Sequence, residues 1–354
     1  MFRMLAFTLF FAATTGSVRG QPLPVVAAKM EAKTVTLDKA GTLAEITAEL
    51  TKQTGLVFDL SGVDDKASVK AAFKAAPFWV AVEAVAEQAK CFVSVQGGKV
   101  KFTKRADGVS AVPSSIDEPF RVVLKKVIAK RDLEAAGTDY EFHLEVQWEA
   151  RFPVYLIDTE PKASATVGKA TIAANAASVR TLPSGSSHPA VVKLKNVPRE
   201  AKVIDELAGT FRLIAAEKML AIEFKDLTGA KPQTETVDGV SVTLHPMTAF
   251  PKRVQFTVGL EYPDGHPTFE SFQSWTGANV LRLFAPTTPA GMTTDKYSID
   301  ADNGRKQTLS YNFEGPNGAA FTIPSLKGWR VVYETPGPLS EQTFAFKLKG
   351  IELP

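Results

Sequence analysis

Residues 140–148 read Tyr-Glu-Phe-His-Leu-Glu-Val-Gln-Trp. Tyr140, Phe142, Leu144, Val146 and Trp148 alternate with Glu141, His143, Glu145, Gln147 and Glu149. A period of two is that of a strand whose side chains point to opposite faces, so the stretch predicts an antiparallel strand with one apolar and one wet face. The pattern returns at Leu220, Ile222 and Phe224, at Val254, Phe256, Val258, Leu260 and Tyr262, at Trp329, Val331 and Tyr333, and at Phe344, Phe346 and Leu348. Turn signals stand between these runs: Asp238-Gly239, Asp264-Gly265, Asn303-Gly304 and Asn317-Gly318. Short strands with frequent turns and almost no helical stripe predict β-sandwich architecture.

This half of the chain repeats itself. Leu220, Ile222, Phe224 and Leu227 match Phe344, Phe346, Leu348 and Ile351, and Val122 to Val127 resembles Val242 to Met247. Two mainly antiparallel β-sandwich domains are therefore expected, at 117–229 and 236–354. Residues 159–190, rich in Ala, Ser, Thr and Pro, read as a strand-poor excursion. Residues 105–116 are polar and turn-rich, and read as a linker.

Upstream the period changes. Thr34 to Asp38 alternates as a strand. Thr42-Leu-Ala-Glu45 has the form of a capping box, and Leu43, Ile46 and Leu50 then share a helical face. Gly55 supplies the left-handed exit. Leu56 to Leu60 and Ser68 to Phe73 read as strands. Pro77 sits at a first helical position, followed by the stripe Phe78, Val82, Val85 and Ala89. Cys91 to Val95 and Lys99 to Thr103 form a hairpin about Gly97-Gly98. The halves align 35 residues apart, Leu43 with Phe78, Leu50 with Val85, Gln53 with Gln88 and Leu56 with Cys91. This is a doubled β-α-β unit, an α+β domain over residues 30–104.

Thr34 to Asp38, Leu43 to Leu50, Gln53-Thr-Gly-Leu56 and Pro77 to Ala89 resemble the STN-like domain, the small N-terminal domain of secretins and TonB-dependent receptors. The resemblance covers residues 30–104 only. It implies a periplasmic protein-contact module without catalytic residues. Neither secretin repeats nor a 22-strand barrel pattern follows, so secretion and receptor activity are not implied.

The first twenty residues predict export. Arg3 precedes an apolar run from Leu5 to Ala13, and small residues lead to Val18-Arg19-Gly20 before Gln21. The run is shorter than the roughly 20 residues that span a bilayer, which fits a signal peptide over 1–20. The expected location is the periplasm or cell surface of a two-membrane bacterium, with no membrane span in the mature chain. Of 354 residues, 45% are hydrophobic and 22% charged, which excludes wholesale disorder and fibrous repeats. Without Arg3 and Arg19, 39 basic side chains face 38 acidic ones. That balance gives no reason to expect nucleic acid as a partner. The single cysteine excludes a disulfide framework.

Catalytic signatures are missing from the sequence. His143, His188, His245 and His266 are scattered; there is no H-E-x-x-H and no C-x-x-C. His188 and His266 read as loop residues beside Pro. Asp300-Ala-Asp302-Asn-Gly304 departs from calcium-loop spacing and reads as a polar turn. No cofactor and no metal are expected. Cys91, between Ala89 and Phe92, reads as an inert core thiol. The candidate binding residues are aromatic: Phe269, Phe272 and Trp275, spaced by three, and Trp79, beside the apolar stripe of its helix, where it covers the domain edge or contacts the sandwich.

The sequence reading is thus an exported, non-catalytic envelope protein, a structural and protein-interaction module whose partner is another envelope protein. One alternative is a carbohydrate-binding sandwich, which needs Trp275 or Trp148 exposed to meet a glycan. Another is a hydrolase whose acid/base pair, such as Glu145 and Glu270, assembles from distant strands.

Overall fold

The computed structural model describes residues 30–131, 133–134, 137–177, 179–264, 277–286, 290–302, 305–314 and 326–354. Residues 1–20, where a signal peptide is expected, and Phe269, Glu270, Phe272 and Trp275 lie outside them. Among the described residues the chain is mostly β, with antiparallel sheets predominating, and holds two helices. Neither helix is long and apolar enough to cross a membrane.

Both helices lie near the start. β1 (Thr34–Thr42) runs directly into α1 (Leu43–Thr54). The Glu45 N–H donates to the Thr42 hydroxyl at 3.2 Å, and the Thr42 N–H donates to the Glu45 carboxylate at 3.0 Å. This capping box stops the strand and starts the helix. Gly55, at φ +77°, ends it. There follow β2 (Phe58–Gly62), β3 (Ser68–Pro77), α2 (Phe78–Gln88), β4 (Cys91–Gln96) and β5 (Lys99–Lys104). Pro77 is the N-cap of α2, one residue ahead of the expected place. β1 pairs antiparallel with β3, and β2, β5 and β4 form a second sheet. The matched glutamines do the same job: Gln53 bonds the N–H and C=O of Thr36, and Gln88 those of Lys70. Each closes backbone groups on β1 or β3 that could otherwise recruit another strand.

Downstream, two pairs of sheets each enclose a core. In the first pair, β6 (Ser114–Asp117), β7 (Phe120–Lys130), β8 (Thr138–Trp148) and β13 (Ser187–Val197) lie in the order β13-β8-β7-β6. The opposing sheet is built on β14 (Val203–Ala216). One edge of β14 is lined by β9 (Val154–Asp158) and β10 (Lys162–Val167), with β11 (Ala170–Ala173) and β12 (Arg180–Thr181) beyond. The other edge pairs along its whole length with β25 (Leu339–Glu352).

In the second pair, β16 (Gln233–Val237), β17 (Val240–Leu244), β19 (Arg253–Glu261), β23 (Lys306–Glu314) and β22 (Tyr297–Asp302) form one sheet, with β18 (Thr248–Phe250) on β19. The opposing sheet runs β15 (Met219–Phe224), β24 (Arg330–Pro336), β20 (Val280–Phe284), β21 (Met292–Thr293).

The repeat-related strands have therefore changed places. Leu220, Ile222, Phe224 and Leu227 sit in the core of the second pair, with Val242, Phe256 and Tyr333. Phe344, Phe346, Leu348 and Ile351 sit in the core of the first, with Phe120, Phe142 and Phe211. The expected division at 229–236 cuts across both. One register carries the exchange: Val203 lies opposite Glu352, Ala216 opposite Leu339, Met219 opposite Pro336 and Phe224 opposite Val331. β14–β15 and β24–β25 form one antiparallel ribbon that passes through both cores. It pauses only at Glu217-Lys218 and Gly337-Pro338, where the Gly337 N–H still donates to the Lys218 carbonyl at 2.9 Å.

Three expectations change. Residues 159–190 are not strand-poor, since β10 and β11 form a hairpin about Gly168 at φ +59°. Thr166, Val167, Thr171 and Ile172 are β-branched residues that favour strand on either side of that turn. His188 is a buried strand residue rather than a loop residue. Gln147 and Glu149, on the expected wet face of β8, are buried because the N-terminal residues pack over that end of the sheet.

Candidate functional site

The packing over that end is built by few residues. Trp79, on the first turn of α2, is fully buried, and its Nε1–H donates to the Pro119 carbonyl in the β6–β7 turn at 2.8 Å. Trp79 thus meets the neighbouring sheet, and its indole N–H is already engaged. Arg121, on β7, is 4% exposed. Its Nε donates to Glu83 of α2 at 2.7 Å, and its Nη1 donates to Gln147 at 2.7 Å and to the Val93 carbonyl at 3.2 Å. The guanidinium also lies 5.8 Å from the Trp79 ring centre. A planar cation with several donors suits such a junction, where a buried charge must be paired and hydrogen-bonded. Beside it the Lys33 N–H donates to Glu149 at 2.9 Å, and Arg151 donates to the other carboxylate oxygen at 2.8 Å. Burial nevertheless holds the Glu149 carboxyl above its ordinary value.

Arg121 also closes one end of a cleft of about 430 Å³. α2 forms one wall through Val80, Glu83 and Ala84, and residues 111–116 form the other, through Val112 and Ile116. The floor is the outer edge of β4, at Cys91 to Val93. The β4–β5 hairpin is closed by Gln96 opposite Lys99, with Gly97 and Gly98 both at positive φ. A two-residue hairpin of this kind pairs Gln96, Ser94 and Phe92 with β5 and turns the backbone groups of Val93 and Cys91 outward. The Arg121 bond to the Val93 carbonyl agrees with that direction. Among the described residues, the N–H groups of Cys91 and Val93 meet no acceptor. The cleft thus joins an open strand edge to apolar side chains, with Val80 42% exposed on its rim. Cys91 itself is buried, its Sγ 3.2 Å from the Ala89 carbonyl, and burial pushes its thiol up, so it is a poor nucleophile.

The other sequence candidates that are described, Trp148 and Glu145, do not line this cleft. Phe269, Phe272, Trp275 and Glu270 lie outside the described residues. Trp148 is buried, and its Nε1–H donates to the Phe152 carbonyl at 3.2 Å. Glu145 pairs with Lys125 at 3.2 Å on the open face of β8. Among the described residues no group of His, Cys, Asp and Glu could hold a metal ion. Arg121 escaped the sequence reading, although the signal was there: a charge inside the apolar run Phe120-Arg-Val-Val-Leu124. No protein-family model matches the chain and no curated protein matches it, so the site is read from its own residues.

Proposed function

We propose that the chain is an exported, non-catalytic protein of a two-membrane bacterial envelope, and that it binds an extended segment of another envelope protein at the β4 edge. On this reading residues 1–20 are a signal peptide, residues 30–104 an STN-like α+β contact unit, and the two sheet pairs β-sandwich units that share strands. The observation that carries it is the cleft itself: unpartnered backbone N–H groups on a strand edge, beside apolar walls. Strand addition uses such an edge for affinity and neighbouring pockets for side-chain selection. The fastening through Trp79 and Arg121 would hold that edge at a constant angle to the sandwich units, which act as spacers.

Among the described residues no specific observation favours a glycan-binding or hydrolytic reading, since Trp148 is enclosed and Glu145 is ion-paired. The test is binding of tiled extended peptides from envelope proteins to the full chain, followed by hydrogen exchange. Expected is new protection at the Cys91 and Val93 amides, and loss of binding in Ala84→Phe, which fills the cleft from the half-exposed side of α2. Peptides that bind while leaving those amides unprotected would overturn the proposal, as would a library in which none binds.

A further inference from the structure

Arg121 leaves part of its guanidinium unused. Nε is taken by Glu83, and Nη1 by Gln147 and the Val93 carbonyl. Nη2 meets no acceptor among the described residues, and it is open to solvent although the side chain is almost wholly buried. Nη1 bonds the Val93 carbonyl at 3.2 Å, so Nη2, on the same carbon, lies beside the floor of the β4 cleft, which Arg121 lines. A guanidinium held largely out of water and short of an acceptor suits a carboxylate, because bonds between ionised partners are the strong ones.

The same contact limits how far an added strand can run. A chain lying parallel to β4 would give a carbonyl to the Cys91 N–H, an N–H to the Cys91 carbonyl and a second carbonyl to the Val93 N–H. The next N–H would need the Val93 carbonyl, where Arg121 already stands. Pairing therefore stops at Val93, with the end of the bound segment beside Nη2. A parallel chain arrives there with its C-terminal side, and its α-carboxylate can accept from Nη2. An antiparallel chain ending there would bring its α-ammonium to the guanidinium, and like charges repel. Val80, Ala84, Val112 and Ile116 flank the residues leading to that end. Glu83 opposes the arriving charge, since its carboxylate lies 2.7 Å from Nε, but its side chain is 29% exposed and so partly screened. Glu87 is held by Arg105 at 3.0 Å.

We infer that the β4 edge takes the free C-terminal end of a partner chain, added parallel to β4, with its α-carboxylate on Arg121 Nη2. This rests on the strand-addition reading of the cleft, and narrows it from any extended segment to a chain terminus with apolar last residues.

The test uses the full chain and two matched libraries of octapeptides, random over their last four positions, one ending in a free carboxylate and the other in a carboxamide. Expected at pH 7 are binders from the free-acid library that protect the Cys91 and Val93 amides from exchange, and that lose at least about tenfold in affinity when amidated or when Ala-Ala is appended. Glu83→Gln keeps an acceptor for Nε and removes the opposing charge, so free acids should bind about threefold tighter while amides are unchanged. Arg121→Lys keeps a charge and lacks Nη2, so acid and amide should bind within about threefold of each other, with the unfolding midpoint checking that the fold stands. If that variant unfolds, the comparison in the parent chain decides. Peptides that protect those amides equally well as acids, amides and extended forms would overturn the inference and leave strand addition standing. So would a free-acid preference that Glu83→Gln and Arg121→Lys both leave as it is. Binders none of which protects those amides would remove both readings.

Discussion

Phe344→Ala should weaken sheets that lie more than a hundred residues away in sequence, and spare those next to it. Phe344 sits on β25, 4% exposed, in a stack of three rings. Its centroid lies 4.3 Å from that of Phe120 at 7° and 5.2 Å from that of Phe211 at 12°. The stack joins β7 of one sheet to β25 and β14 of the other. Removing a buried phenyl ring costs about 3–5 kcal/mol, combining lost transfer energy with the cavity left behind. That is a large part of the roughly 5–15 kcal/mol that holds a domain folded. At about 1.4 kcal/mol per decade, amides that exchange by opening of this unit should exchange roughly a hundred to several thousand times faster. Hydrogen exchange read by mass spectrometry should show the loss in 120–130, 154–158 and 203–216, with 240–244, 253–261 and 306–314 keeping their protection. Phe224→Ala, on the exchanged strand β15, should give the opposite map. Loss of protection in Phe344→Ala confined to 240–336 would refute the exchange of strands.

Other outcomes follow from single sites. Gly209→Ala should cost about 1–3 kcal/mol, because the added Cβ would stand 2.5 Å from the Lys162 carbonyl oxygen and 2.8 Å from Phe346 Cε1, both in packed strands; thermal unfolding reads it. Arg121→Met should cost about 2–3 kcal/mol by stripping Glu83, Gln147 and the Val93 carbonyl of a charged donor, and native-state proteolysis should then release residues 30–104 first. Burial holds the His188 imidazole below its ordinary 6.5, so the unfolded chain takes the proton first as pH falls. Stability from this group is complete above pH 6.5 and drains away below it until the folded pKa is reached. Equilibrium unfolding should show that loss in the parent chain and its absence in His188→Leu.

The exchanged ribbon bears on how the chain can behave as a unit. Each sheet pair lacks an edge strand of its core unless the other pair lends one, so neither is closed by its own consecutive residues. The N-terminal residues are tied to the first pair through Trp79, Arg121 and Glu149, all 1–4% exposed or fully buried. Open edges are managed locally. Beside the two glutamines, Asp117 accepts from the Ala345 N–H at 2.7 Å and Ser115 from the Lys347 N–H at 2.9 Å, which occupies the outer edge of β25. Against that background the Cys91 and Val93 N–H groups of β4, which meet no acceptor among the described residues, stand out.

The elements themselves were legible in the sequence, for a local reason. A capping box, a left-handed glycine and a two-residue Gly-Gly turn act over a few residues, so Thr42-Leu-Ala-Glu45, Gly55 and Gly97-Gly98 place their elements unaided. Alternation likewise marks which side chains of β8, β19 or β25 are buried. It says nothing of which strand lies alongside, because Phe344, Phe346 and Leu348 present the same apolar stripe whichever core receives them. That choice rests on long-range packing, and only the tertiary structure decided it. The same holds for Arg121, Gln147 and Glu149: polar side chains on a strand face stay wet or become buried according to what packs above them, and what packs above them comes from residues 30–93.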